Sequence, residues 1–202
     1  MNNTYKSIFA GILIGIGCNI YNICPNRIVG AGLFSLGLYF ICLMQLNLYT
    51  GKIGFIQNLN DIPFLTHTII GNFAGTALCA IFSPIIQPPE YWAISAPMLF
   101  AKSFMTGALM YLAVWHYKYA KQCKPLGVFL CVPCFLLCGF RHSVADMFYF
   151  WCSADFGNIW CILVAIAGNT LGSLALRRLN DLCNTDQYFD NGNSFLTFCA
   201  QR

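Results

Sequence analysis

The chain has 202 residues, 58% of them hydrophobic and only 9% charged, with a formal net charge of +4. A soluble domain of this length carries about 25% charged residues, so water is excluded as the solvent for most of its surface. The cations are scattered and no basic face alternates with aromatics, which excludes a nucleic-acid surface.

Six apolar segments are predicted, at about 7–23, 28–56, 66–83, 96–117, 126–152 and 158–177. Each is long enough for a membrane helix of about 20 residues. The first follows Lys6, no small-x-small cleavage site after it leads into a soluble domain, and it is expected to stay as a span. Turn chemistry separates the segments: Cys24-Pro25-Asn26, Asn58 to Asp61, Pro84 to Glu90, Lys118 to Lys124, and Ser153 to Gly157. Residues 1–178 are predicted to form one transmembrane domain and 179–202 a mobile polar tail. Six spans put both ends of the chain on one side. Lys6, the Lys118, Lys121 and Lys124 cluster, and Arg177 with Arg178 would share that side, so the positive-inside rule makes it cytoplasmic.

The two halves repeat one pattern. Ser7 to Leu13 is echoed by Ser103 to Leu109, and Gly71-Asn72-Phe73-Ala74-Gly75 by Gly168-Asn169-Thr170-Leu171-Gly172. Small residues four apart let helices approach closely in lipid. Three spans per repeat, an odd number, give the halves opposite orientations, with a central site expected where they meet. Spans two and five are too long for a simple crossing and polar in the middle. The second carries Gln45, Asn47, Tyr49, Thr50, Gly51 and Lys52; the fifth carries Gly139, Arg141, His142, Ser143 and Asp146. Such groups are costly in hydrocarbon, and interrupted helices are tolerated only where the freed backbone faces protein or a water-filled cavity. The two polar middles are therefore predicted to converge at the subunit centre.

Of the 12 cysteines, Cys18, Cys42, Cys79, Cys131, Cys134, Cys138 and Cys161 sit in apolar runs and read as small packing residues. The Cys131, Cys134 and Cys138 group lies on one helix, which cannot close a tetrahedral zinc site alone. No metal, cofactor or catalytic residue is expected, and no enzyme activity. His67 and His116 lie near span ends, and Trp92, Trp115, Trp151 and Trp160 fit interfacial belts.

Gly139-Phe140-Arg141-His142-Ser143-Val144-Ala145-Asp146-Met147 resembles the Gly-Phe-Glu-His-Ser-x-Ala-Asn-Met signature of the formate/nitrite transporter family. Leu48-Tyr49-Thr50-Gly51 resembles that family's Leu-Phe-Thr motif. Ala10 to Gly15, Leu112-Ala113-Val114-Trp115 and both Gly-Asn-x-x-Gly runs follow in the family's order, over about residues 5–178. The resemblance implies an all-α membrane fold: an aquaporin-like protomer of six helices in two inverted three-helix repeats, spans two and five broken. It also implies a homopentamer with one pore per subunit, passing small anions such as formate, nitrite or hydrosulfide. It places His142 at the pore centre opposite Thr50, with Leu48, Tyr49 and Phe140 at constrictions. A bare anion crossing an apolar constriction loses much hydration energy. An imidazole, titrating near neutrality when unperturbed, can donate a hydrogen bond or a proton to it.

Four positions depart from the family. Arg141 replaces glutamate and Asp146 replaces asparagine, changing the charge beside His142 and altering the expected proton or anion preference, unless the two pair with each other. His142 and Asp146, four apart, would share a helix face. Gly107 stands where an asparagine is common. Lys52 either attracts anions into a vestibule or, as favoured here, snorkels to the headgroups. The rival readings are an aquaporin-like pore for neutral solutes, which lacks its Asn-Pro-Ala pair here, a membrane enzyme or haem-binding redox subunit, which needs two deep histidines, and a non-conducting scaffold of the same fold.

Overall fold

The computed structural model describes residues 2–84, 91–153 and 155–183, and every regular element among them is helical. In chain order these are α1 (Asn2–Ile23), α2 (Arg27–Leu43), α3 (Tyr49–Lys52), α4 (Ile62–Ala80), α5 (Ala96–Tyr119), α6 (Leu126–Leu137), α7 (Ser143–Ser153) and α8 (Ile159–Cys183). Short 3-10 turns stand at Ile53–Phe55, Leu59–Asp61 and Phe156–Asn158. α1, α4, α5 and α8 with its preceding turn are long and apolar enough to cross a membrane. α2 and α6 are apolar but shorter, at 17 and 12 residues. At 1.5 Å per residue, α6 alone reaches about 18 Å of a hydrocarbon core about 30 Å thick.

The surface is inverted relative to a soluble protein. Ile28, Ile70, Ile81, Phe82 and Leu163 are exposed, while Asn72, Ser103, Thr106, His142, Asp146 and Asn169 are buried. Hydrocarbon outside and polar groups inside is the arrangement that lipid demands.

Glycine sets the closest helix approaches. A Cβ on Gly75 of α4 would strike the Ile8 carbonyl of α1, and one on Gly11 of α1 would strike the Asn72 carbonyl. The same contacts recur between α5 and α8. A Cβ on Gly172 would strike the Phe104 carbonyl, and one on Gly107 the Asn169 carbonyl. Gly107 is thereby explained, because no side chain fits between these backbones.

Two helix ends, those of α2 and α6, are built alike. α2 stops with Gln45 at φ 53°, Gln45 N–H on the Cys42 carbonyl at 3.3 Å and Leu46 N–H on the Ile41 carbonyl at 2.9 Å. α6 stops with Gly139 at φ 64°, Gly139 N–H on Leu136 at 3.1 Å and Phe140 N–H on Phe135 at 2.9 Å. Both are Schellman caps, in which one left-handed residue turns the chain and satisfies the last carbonyls. Elsewhere the turn chemistry works as read: Asn26 Oδ1 accepts from the N–H groups of Ile28 and Val29 and starts α2.

Several boundaries differ from the sequence reading. α4 begins at Ile62 rather than 66, since Pro63 suits a first helical turn. α8 continues through Arg177 and Arg178 to Cys183, so helix occupies the start of the expected polar tail. Residues 184–202 and most of the predicted 84–90 turn lie outside the described residues. Cys18 and Cys161 are buried as packing residues, but Cys134 and Cys138 are exposed on α6. Trp92 is buried rather than placed on a rim.

Candidate functional site

After each cap the chain runs extended for three residues before a new helix starts, and one asparagine fastens each run. Asn72 of α4 donates to the carbonyls of Ser7 (2.8 Å) and Asn47 (2.9 Å), and its Oδ1 accepts from Tyr49 N–H (2.9 Å). Asn169 of α8 donates to the carbonyls of Ser103 (2.7 Å) and Arg141 (3.0 Å), and its Oδ1 accepts from Ser143 N–H (2.8 Å). An amide offers two N–H donors and an oxygen acceptor, and here it serves main chain on both sides of the gap. The correspondence aligns Asn47 with Arg141, Leu48 with His142 and Tyr49 with Ser143.

The two fastened runs meet at one polar contact. Thr50 Oγ1 of α3 lies 2.8 Å from Nε2 of His142, which immediately precedes α7. Both residues are buried. The imidazole is held on its other edge and on one face. Ala145 N–H donates to Nδ1 at 3.2 Å, and the ring stacks on Phe135 with centroids 5.7 Å apart and planes 13° apart. In the neutral ring, an Nδ1 that accepts leaves the ring proton on Nε2. Nε2–H then donates to Thr50, whose own hydroxyl hydrogen is left to donate elsewhere. This is a small buried donor group in apolar surroundings.

The other expected residues are placed as follows. Leu48 caps α3 from the core, and Tyr49 is buried with its hydroxyl 2.6 Å from Thr170 Oγ1 of α8. Phe140 is half-buried against the core, and Lys52 closes α3, half-buried. Arg141 and Asp146 are paired, Nε lying 3.0 and 3.1 Å from the two carboxylate oxygens. Asp146 also accepts from the Tyr91 hydroxyl at 2.6 Å. The four-residue spacing does join His142 to Asp146, but through the backbone: Asp146 N–H donates to the His142 carbonyl at 2.8 Å. The carboxylate turns to Arg141 and Tyr91, and the ring to Thr50.

Sequence reasoning missed Phe135, Tyr91 and Thr170. Each is an ordinary residue of an apolar helix or a loop, chosen by contacts that only the fold creates. The remaining histidines serve turns or stay outside: His116 Nδ1 accepts from Gly127 N–H in the α5–α6 connection, and His67 is exposed.

The family model for the formate/nitrite transporter matches residues 1–179. A solved structure described as an FNT family ion channel superposes with a TM-score of 0.77, at 22% identity, over 89% of this chain and 88% of that one. A second, described as a pentameric formate channel with formate bound, gives a TM-score of 0.72 at 19% identity, over 93% and 96%. No curated protein matches the sequence. The superpositions show a shared fold. With the family pattern running through residue 179 and four helices able to cross a bilayer, the chain is a multi-pass membrane protein that belongs to the formate/nitrite transporter family.

Proposed function

We propose that this chain passes small monovalent weak-acid anions, formate, nitrite or hydrosulfide, through a pore in each subunit, with His142 and Thr50 at its centre. The observation that carries the reading is the 2.8 Å contact between these two residues. It joins two interrupted segments from opposite halves of the chain, inside a protein whose outside is apolar. An anion reaching the pair accepts a hydrogen bond from the Thr50 hydroxyl, and the imidazole supports that donor or passes a proton. Leu48, Tyr49 and Phe140 are assigned to the flanking constrictions.

In this reading α2 with α3, and α6 with α7, are the second and fifth crossings, each broken, which makes six crossings in all. The matched glycine contacts, caps and asparagines support two inverted repeats. Both ends of the chain lie on the cytoplasmic side, and subunits assemble as a homopentamer, as the formate channel of like fold does. The pairing of Arg141 with Asp146 favours a compensated charge pair beside the pore over a free carboxylate acting on His142.

The test is flux of formate, nitrite and hydrosulfide into liposomes across pH, with wild type beside His142→Ala. We expect anion flux that the substitution abolishes or makes insensitive to pH, and the ranking of ions names the substrate. Flux indifferent to the substitution would discard the central-histidine mechanism. No flux of any of the three would turn the reading to a non-conducting scaffold.

A further inference from the structure

Arg141 is buried and held from several directions, yet its donors are not all used. Nε faces the Asp146 carboxylate and Nη1 donates to the Tyr91 carbonyl at 3.0 Å. The guanidinium lies over the Tyr91 ring, with Cζ 3.9 Å from the centroid. Nη2 has no partner. The Trp92 ring centroid is 5.4 Å from the same Cζ, and Trp92 Nε1 also has no partner. Each residue is only 6% exposed.

A buried N–H without an acceptor is costly, and a guanidinium fixed by Asp146 and Tyr91 cannot swing away to find one. The buried Ser143 hydroxyl is also unmatched, and the unmatched groups of Arg141 and Trp92 are N–H donors only, two hydrogens on Nη2 and one on Nε1. Their natural ligand is all acceptor. One charge-assisted N–H from Nη2 and one N–H from Trp92 Nε1 suit the two oxygens of an oxyanion. The charge sets the valence. Arg141 and Asp146 cancel each other, so a monoanion adds one negative charge at the site and a dianion two, in a setting where charge is poorly solvated. Neither Arg141 nor Trp92 shares a side-chain hydrogen-bond partner with Thr50 or His142.

We infer that Arg141 Nη2 and Trp92 Nε1 form a second subsite, for a small monovalent oxyanion, one residue along the chain from His142 and separate from the Thr50–His142 pair. The choice of ligand rests on the anion-conduction reading; the subsite itself rests on the unmatched donors. It belongs to this chain, because Arg141 stands where the family signature has an acid.

Saturation-transfer NMR on the detergent-purified protein, with formate as probe, tests it. Trp92→Phe keeps an aromatic face and removes the donor with the rest of the five-membered ring, and Arg141→Lys keeps the charge and removes the planar guanidinium. Each is expected to weaken formate binding by about tenfold, the loss of one charge-assisted hydrogen bond. His142→Ala is expected to retain the Trp92-dependent binding. Thermal unfolding reports whether each variant is folded, and Trp92→Phe decides alone if Arg141→Lys is not. Formate bound equally by wild type and Trp92→Phe, as when water fills the donors, overturns the subsite, and so does no saturation transfer at all. Liposome flux separates the two readings. Trp92-dependent binding without flux keeps the subsite and removes conduction. Flux dependent on His142, with binding unchanged in Trp92→Phe, does the reverse.

Discussion

At Asn169 a single side chain holds three main-chain groups, two of which, the Arg141 carbonyl and the Ser143 N–H, would otherwise be buried and unpaired. Replacing it by leucine orphans the Arg141 carbonyl and the Ser143 N–H and removes a bond to the Ser103 carbonyl, which stays within the α5 ladder. At about 1–3 kcal/mol for each such group, the loss is several kcal/mol. We expect a large fall in the thermal unfolding midpoint in detergent, and a midpoint within a few degrees of wild type would show that water replaces the amide. Asp146 makes a similar prediction through charge. Asp146→Asn leaves a buried guanidinium uncompensated, at about 3–5 kcal/mol, and the double variant with Arg141→Gln should recover much of that stability. Unfolding of both variants will show this, and the pH profile of flux in folded Asp146→Asn shows whether the pair sets proton preference; an unchanged profile removes it from that role. Thr50 and His142 were singled out in the sequence as polar residues in the middle of two over-long apolar segments and through the family's motif. Trp92 was not. A tryptophan near a span end reads as a rim residue, and only the fold puts it against Arg141.

Among the elements, helix contacts are decided where backbone meets backbone. Gly172→Ala drives a methyl group into the Phe104 carbonyl of α5, so α5 and α8 must separate. Gly32→Ala in α2 meets nothing within 4 Å, and alanine favours helix by about 1 kcal/mol over glycine. The expected result is a marked loss of thermal stability for the first and wild-type stability or better for the second, and equal behaviour would discount the close-approach argument. The Gly-Asn-x-x-Gly runs announced these contacts in the sequence. The helix ends were only half announced. Gly139 is the usual residue for a left-handed cap, whereas Gln45 takes the same conformation without glycine's freedom, and no local signal marks it. The end of α8 was misplaced because Asn180 and Asp181 look like tail. In the fold they lie along the helix, where Asn180 donates to the Tyr111 hydroxyl and Asp181 faces Arg177.

For the whole molecule, one end gathers the cations. Lys118 lies over the Phe55 ring, Arg177 donates to the Ile56 carbonyl, and the Lys6 carbonyl accepts from Asn47 N–H. These contacts bring the α5 terminus and the end of α8 to the run after α3, and the start of α1 to the run before it, consistent with the cytoplasmic side proposed for them. Variants keeping only Cys123, in the α5–α6 connection, or only Cys24, in the α1–α2 turn, test this with a membrane-impermeant maleimide. Cys123 should react from the cytoplasmic face and Cys24 from the opposite one; the reverse pattern would invert the topology. The order of segments was legible because long apolar stretches have few alternatives. The meeting of Thr50 with His142, 92 residues apart, was legible only through the family's motif. The asparagine fastenings have a consequence for substitution on the runs they hold. They grip carbonyls and N–H groups and are indifferent to which side chain rides on the fastened run. Leucine on one side and histidine on the other occupy matching positions, as do Asn47 and Arg141. Exchanging the side chain at Leu48, His142, Asn47 or Arg141, acid for base or ring for chain, therefore leaves the frame in place.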